Sequence, residues 1–319
     1  MVTLNTLWHS ADAERNALAL RLSKNSAFQA LAEVDKFGHR LLTRCGDARI
    51  SDIDRLVGIA MLRRAVTLFV GLRHLLEASS VEPGKLVARA LFETMLAFRY
   101  IIHGARRRVD ACTPSDHRAR EARARYYLVA AKRNLIYSRQ AVLDGRWGRG
   151  QVTPKMRRSL KREVASETAR LARDFPTQSC AFGPFRFAIP SRRRIYFDTK
   201  QWYSFGFRKG DVTSVRALAL RVGWIREYEL LYGAFSGIMH PRGISHDVKV
   251  AEGAVEVFHP YMAEAFDLLS FLGCTWQMYA LGAAAKAYNR ESLADARDVH
   301  AKIRPFVHGP RPAMPDGLV

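Results

Sequence analysis

The sequence has few cysteines, a shortage of acid, and none of the compact motifs that mark the common catalytic classes. Its four cysteines, Cys45, Cys112, Cys180 and Cys274, lie more than sixty residues apart. No pair has the close spacing of a zinc site, and four thiols make a thin framework for a disulfide-stapled secreted chain. The expectation is a reduced, cytoplasmic protein without a metal. The segment MVTLNTLWHSADAERNALAL lacks a basic stretch followed by an apolar run, so no signal peptide is expected. Phosphate-binding GxxxxGK[ST], GxGxxG after a strand, HExxH and GxSxG are all missing, and no cofactor is expected. Gly-Ala-Phe-Ser-Gly at 233–237 has the glycines of a nucleophile elbow but lies in a helical pattern.

What the chain does have is positive charge. Lys and Arg number 51 against 30 Asp and Glu, a formal +21 over 319 residues. Hydrophobic content of 48% and aromatic content of 10% exclude a disordered basic tail, which lacks the apolar surface to fold. The length allows one large domain or two. One stretch, Leu268 to Ala285, holds 18 consecutive uncharged residues, close to the roughly 20 that cross a bilayer. Ser270, Thr275 and Gln277 interrupt it, with Glu264 and Asp267 just before it. A buried core helix is therefore expected rather than a membrane span.

Apolar residues at three- and four-residue steps predict helices over most of the chain. They run over 7–42, 51–76, 84–103, 114–144, 154–174, 211–239, 260–288 and 292–303. Asp52 or Ser51 suits the second N-cap, and Pro83-Gly84 punctuates the entry to the third. Between 175 and 210, three prolines and many aromatics mark an irregular insertion with room for a β-hairpin. Val248–Phe258 alternates like a second small hairpin. The fold class is predominantly all-α, a multi-helix bundle with that insertion. The domain reading is N-terminal helices over 1–80, a main bundle over 81–303 and a loose tail over 304–319.

The charge is not evenly spread. Residues 104–165 hold 17 basic and five acidic side chains, a local +12. Arg106, Arg107, Arg108, Arg123, Arg125, Lys132 and Arg133 follow one another there, with Tyr126, Tyr127 and Trp147 nearby. Such a face could neutralise phosphates and stack bases, and it could equally be a solvated surface of good helix formers.

Two polar strips lie in otherwise apolar segments. Arg89 and Glu93 are four apart and share a helix face. Tyr228, Tyr232, Ser236 and His240 follow at four-residue steps. Buried polar groups need partners, so the strips are expected to face each other, joining Arg89, Glu93, Tyr232, Ser236 and His240 in one network. His240 would end its helix, where the dipole favours the imidazolium.

Those segments, ARALFE and YELLYGAFSGIMHP, together with Gln201-Trp202-Tyr203, resemble bacterial domain-of-unknown-function family 5677. The resemblance spans roughly 33–288 and implies a helical fold without naming an activity. A more distant similarity is to HEPN helical-bundle ribonucleases, whose R-x(4–6)-H motif acts at the scissile phosphate. Here Phe235, Ala234 and Gly233 stand before His240 where an arginine is wanted, so Arg89, Arg221 or Arg226 would supply the charge.

Two functional readings follow. In the first, the chain binds or cleaves RNA without a metal, in stress response or phage defence on family analogy. His240 is then the acid/base, Arg89 the anion stabiliser, Tyr232 and Ser236 orient them, and Glu93 belongs to the same site. In the second, the chain is a non-enzymatic scaffold whose polar network is structural and whose basic face docks a partner. A homo-oligomer is compatible with both.

Overall fold

The computed structural model describes residues 26–46, 53–78, 80–103, 116–146, 152–174, 179–180, 183–184, 214–235, 248–251, 254–257 and 263–307. Among these the chain is predominantly α-helical. The helices are α1 (Ser26–Gly46), α2 (Ile53–Glu77), α3 (Val81–His103), α4 (Asp116–Leu143) and α5 (Pro154–Asp174). There follow α6 (Val215–Val222), α7 (Ile225–Phe235), α8 (Ala263–Tyr288) and α9 (Leu293–Val307). Two short antiparallel ladders complete the described residues. One pairs Ser179–Cys180 with Gly183–Pro184, the other Val248–Ala251 with Ala254–Val257. A β-hairpin insertion at 175–210 is not supported. The described residues there are four, Ser179–Cys180 and Gly183–Pro184, and the rest of the stretch lies outside the described residues. Asp52 and Ser51, expected to cap α2, also lie outside them.

The chain divides into two compact units, each assembled from separated stretches. The first takes residues up to Ser51, then Gly58–Ile102, then Val222 onward. Its centre is α8. Phe266, Leu269, Leu272, Trp276, Ala280, Leu281 and Ala284 leave little or no surface exposed. By length and composition, Phe266–Tyr288 could cross a membrane, and 78% of its apolar window is covered by the rest of the protein. Phe28 of α1 stacks on Phe266 at 5.7 Å, Phe92 of α3 tilts against Trp276 at 5.1 Å, and Phe306 of α9 meets Phe271 edge-on.

α1 supplies its part through Leu31, Val34, Phe37, Leu41 and Cys45, spaced so that one face is apolar. Gly273 lets α8 approach α2 closely, because a Cβ there would stand 2.9 Å from Leu72 Cδ2. At the surface, Arg73 ties α1 to α2 by reaching Asp35 and Glu77, each at 2.6 Å. Arg44 joins α1 to the start of α9 through Ser292 Oγ and Asp295.

The expected single helix over 211–239 is broken. Gly223 has φ 79°, a left-handed conformation that ends α6 at Val222 and that a side chain would resist. Arg99 of α3 donates from Nε to the Val222 carbonyl at 3.1 Å, satisfying an oxygen the helix end leaves open. Its guanidinium lies 5.0 Å from the Trp224 ring centre and 4.8 Å from that of Tyr279. Trp224 in turn stacks on Phe92. This aromatic and cationic corner directs α7 along α3. α9 also runs four residues past its expected end at Ile303, with Pro305 in its last turn, where few backbone bonds remain to lose.

The second unit comprises Asp52–Val57 and His103–Arg221. α4 and α5 form an antiparallel pair, since Arg139 meets Glu163 and Arg157 donates to the Leu143 carbonyl at 2.9 Å. Val129 and Ile136 of α4 form the unit's small core, with Ile53, Leu128 and Val164 against them. Arg120 pairs with Asp54 at 3.3 Å.

Among the described residues of the first unit, Ser270, Gln277 and Ser292 are polar and fully buried. Neither the carboxamide atoms of Gln277 nor the hydroxyl of Ser270 has a hydrogen-bond partner among the described residues. Each unpaired buried group costs about 1–3 kcal/mol. Gln277→Met keeps the side chain's length and removes the polar atoms. It is expected to raise the unfolding free energy by about 1–2 kcal/mol in urea titrations.

Candidate functional site

α3 and α7 carry the two polar strips. α3 is apolar on most of its circumference, with Ala88, Leu91, Phe92, Met95 and Leu96 inside. Arg89 and Glu93 fall on its remaining face. α7 starts after the Gly223 turn, buries Leu231 and turns Tyr228 and Tyr232 to its partly open side.

The structure brings Arg89, Glu93 and Tyr232 together, across 139 residues of sequence between the last two. The Tyr232 hydroxyl donates to Glu93 Oε1, the same oxygen that accepts from Arg89 Nε at 3.3 Å. The Arg89 guanidinium lies over the Tyr232 ring, 4.2 Å from its centre. Tyr228 stacks on Tyr232 at 4.2 Å with planes 18° apart. A cation, a carboxylate and two aromatic rings thus form one cluster.

The cluster is not buried. The Glu93 side chain is 44% exposed and that of Arg89 27%. A network fixing the register of packed helices from inside the core would be covered on all sides, as Gln277 is. Instead the Arg89–Glu93–Tyr232 group opens to whatever surrounds the protein. Ser236 and His240 lie outside the described residues.

Burial and the bond to the Glu93 carboxylate both push the Tyr232 phenol above its ordinary range, and they outweigh the opposing pull of Arg89. At neutral pH Tyr232 is therefore a hydrogen-bond donor and not a base. Burial alone would lower the Arg89 guanidinium, but Tyr232 and Glu93 outweigh it and hold the cation charged. Chemically, the group offers a fixed positive charge, an oriented carboxylate and aromatic faces. Among the described residues no group of three His, Cys, Asp or Glu side chains could hold a metal ion. Cys45 and Cys274 are buried and in no disulfide, and burial pushes the Cys274 thiol far up, which makes it a poor nucleophile.

The basic residues singled out in the sequence meet different fates. Arg125 bonds Glu121 through Nε and Nη2, at 2.9 and 2.6 Å. Arg123 takes part in interactions as well, and Lys132 is half-buried. Arg106, Arg107, Arg108 and the side chain of Arg133 lie outside the described residues. Two features escaped the sequence reading. Arg99 gives no local sign of its role, because its aromatic surroundings come from segments over a hundred residues away. Tyr228 stood in the strip, but its stacking depends on the rotamers of two rings.

A family model matches residues 55–254. The chain belongs to the family of unknown function DUF5677. The matched stretch contains Arg89, Glu93 and Tyr232, and the position of His240. It leaves out α1, α8 and α9, so the central helix of the first unit and two helices packed on it lie outside the DUF5677 match. Comparison with curated proteins and with solved structures finds no match.

Two outcomes follow from this geometry. A phenol held above its ordinary range keeps its proton at about pH 10, where free tyrosine ionises. The bond's contribution to stability is complete below that pH and is lost as the pH climbs through the shifted value. In ultraviolet titration, subtracting the spectrum of Tyr232→Phe from that of the parent should therefore show no tyrosinate at about pH 10. A normal phenolate step in that difference would contradict the bond to Glu93. Separately, Arg89→Ala should cost under about 1 kcal/mol in urea unfolding, as for an exposed ion pair. A buried network would lose about 3–5 kcal/mol.

Proposed function

We propose that this DUF5677 chain binds RNA and cleaves it without a metal, in the broad style of the HEPN ribonucleases. The observation that carries the reading is the Arg89–Glu93–Tyr232 cluster, charged and open on one side, with Tyr232 on the helix that leads in sequence toward His240. A guanidinium held in place by a carboxylate and an aromatic ring suits the charge that develops on a phosphorane. Glu93 and Tyr232 act on Arg89, fixing its direction before substrate arrives. Tyr228 extends the aromatic surface on which an unpaired base could stack. His240 would move the proton, taking it from the attacking hydroxyl and returning it to the leaving oxygen.

Purified protein incubated with single-stranded RNA tests the assignment. His240→Ala should abolish cleavage while far-ultraviolet circular dichroism stays unchanged. Arg89→Ala should slow cleavage by about 10²–10³-fold, the usual loss when one stabilising donor is removed. Cleavage at the parent rate in His240→Ala would overturn the mechanism.

A further inference from the structure

The charge of the second unit is concentrated, and its two helices use their bases differently. On α4 the described arginines are largely engaged. Arg120 meets Asp54, Arg125 meets Glu121, and Arg139 meets Glu163 at 3.2 Å. Just beyond α4, Arg146 pairs with Asp144 at 2.7 Å.

On α5 the pattern reverses. Lys155, Arg158, Lys161 and Arg162 are exposed, and among the described residues none has a carboxylate within ion-pair distance. At 100° per residue, Lys155, Arg158 and Arg162 fall within about 60° of one another on the helix circumference. Ser166 and Ala169 continue that stripe with small side chains. Arg157 and Lys161 turn the other way, toward α4, and line a cleft of about 320 Å³ with Gln140 and Asp144. The helix is held firmly. Thr153 caps it by accepting from the Met156 amide, and Arg157 donates to the Leu143 carbonyl. Its first turn carries no acid, so these like charges sit uncompensated at the end where the backbone dipole is also positive. Like charges at three- and four-residue steps cost helix stability. Nothing within the described fold offsets that cost; a polyanion outside it would.

We infer that the outward stripe of α5, Lys155–Arg158–Arg162, is the surface that grips the phosphate backbone of RNA. This rests on the RNA-binding reading above and moves the docking face from the arginines of α4 to α5. The stripe spans seven residues, about 10 Å along the helix axis, a length over which a nucleic-acid strand presents several phosphates. Small residues beyond Arg162 allow close approach of a backbone. The stripe carries no large apolar side chain, which argues against a helix lying in a lipid surface, where an apolar face supplies much of the binding.

The experiment measures binding of a fluorescent 20-nucleotide oligouridylate across a salt series by anisotropy. The proteins are the parent, the triple variant Lys155→Gln/Arg158→Gln/Arg162→Gln and a control with equal charge loss on α9, Arg297→Gln/Lys302→Gln/Arg304→Gln. Each phosphate contact contributes about 0.7 to the slope of log K against log salt for a single strand. The triple variant should therefore lose about 2 from the slope and about a hundredfold in affinity at 0.1 M salt. The control should keep the parent slope.

Arg158→Gln and Arg162→Gln alone should each lose about fivefold, which keeps the inference testable if the triple variant folds poorly. Equal losses in triple variant and control would overturn the α5 assignment while leaving RNA binding intact. A parent that binds no RNA at 50 mM salt would overturn both readings. Tighter binding to phosphatidylserine vesicles than to the oligonucleotide would replace RNA by a membrane as the occupant.

Discussion

Helix α8 has no polar face, and a helix of that kind must be covered by apolar surface on every side. The first unit can be understood as the answer to that requirement. α1, α2, α3 and α9 each turn a row of apolar side chains toward it, and the aromatic contacts from Phe28, Phe92 and Phe306 fall at different points along its length. Fully burying a side chain of this size contributes about 1.5–3 kcal/mol. Covering α8 therefore outweighs the surface ion pairs that tie the same helices together at their edges. Gly273 is one point where that demand is felt, because a Cβ there would stand 2.9 Å from Leu72 Cδ2 and crowd α2.

The candidate site is a by-product of the same packing. α3 must lay Phe92 against Trp276, and that choice turns Arg89 and Glu93 away from the core. The turn at Gly223, held by Arg99, then brings α7 alongside with Tyr228 and Tyr232 facing the pair. The site's charges are not part of the core and owe their positions to it. That separation leaves Arg89 and Glu93 partly open, a condition for any role in binding.

Much of this was legible in the sequence. The helices around α8 could be read because their apolar spacing repeats over twenty or more residues, as in Leu31, Val34, Leu41 and Cys45. The juxtaposition of Arg89, Glu93 and Tyr232 follows from treating both polar strips as in need of partners, and the pairing holds although Arg89 and Glu93 are partly exposed. The break at Gly223 was not legible. A glycine within a helical pattern is tolerated often enough that only the neighbouring Trp224 and the distant Arg99 distinguish this one. The extent of exposure at Arg89 was missed for a related reason, since the surrounding residues suggested burial and only packing decides which side of a helix remains uncovered.

The opening observation, an excess of 21 positive charges, divides along the same line. The sequence by itself determined that the excess exists, that it concentrates in residues 104–165, and that the segments carrying it are helical. Composition and local periodicity are properties of neighbouring residues, and no tertiary contact is needed to read them. Only the tertiary structure decided which charges are already satisfied. An ion pair depends on whether a carboxylate from another turn or another helix comes within about 4 Å, and the fold delivers Asp54, Glu121 and Glu163 to arginines of α4 while leaving the outward stripe of α5 with none among the described residues.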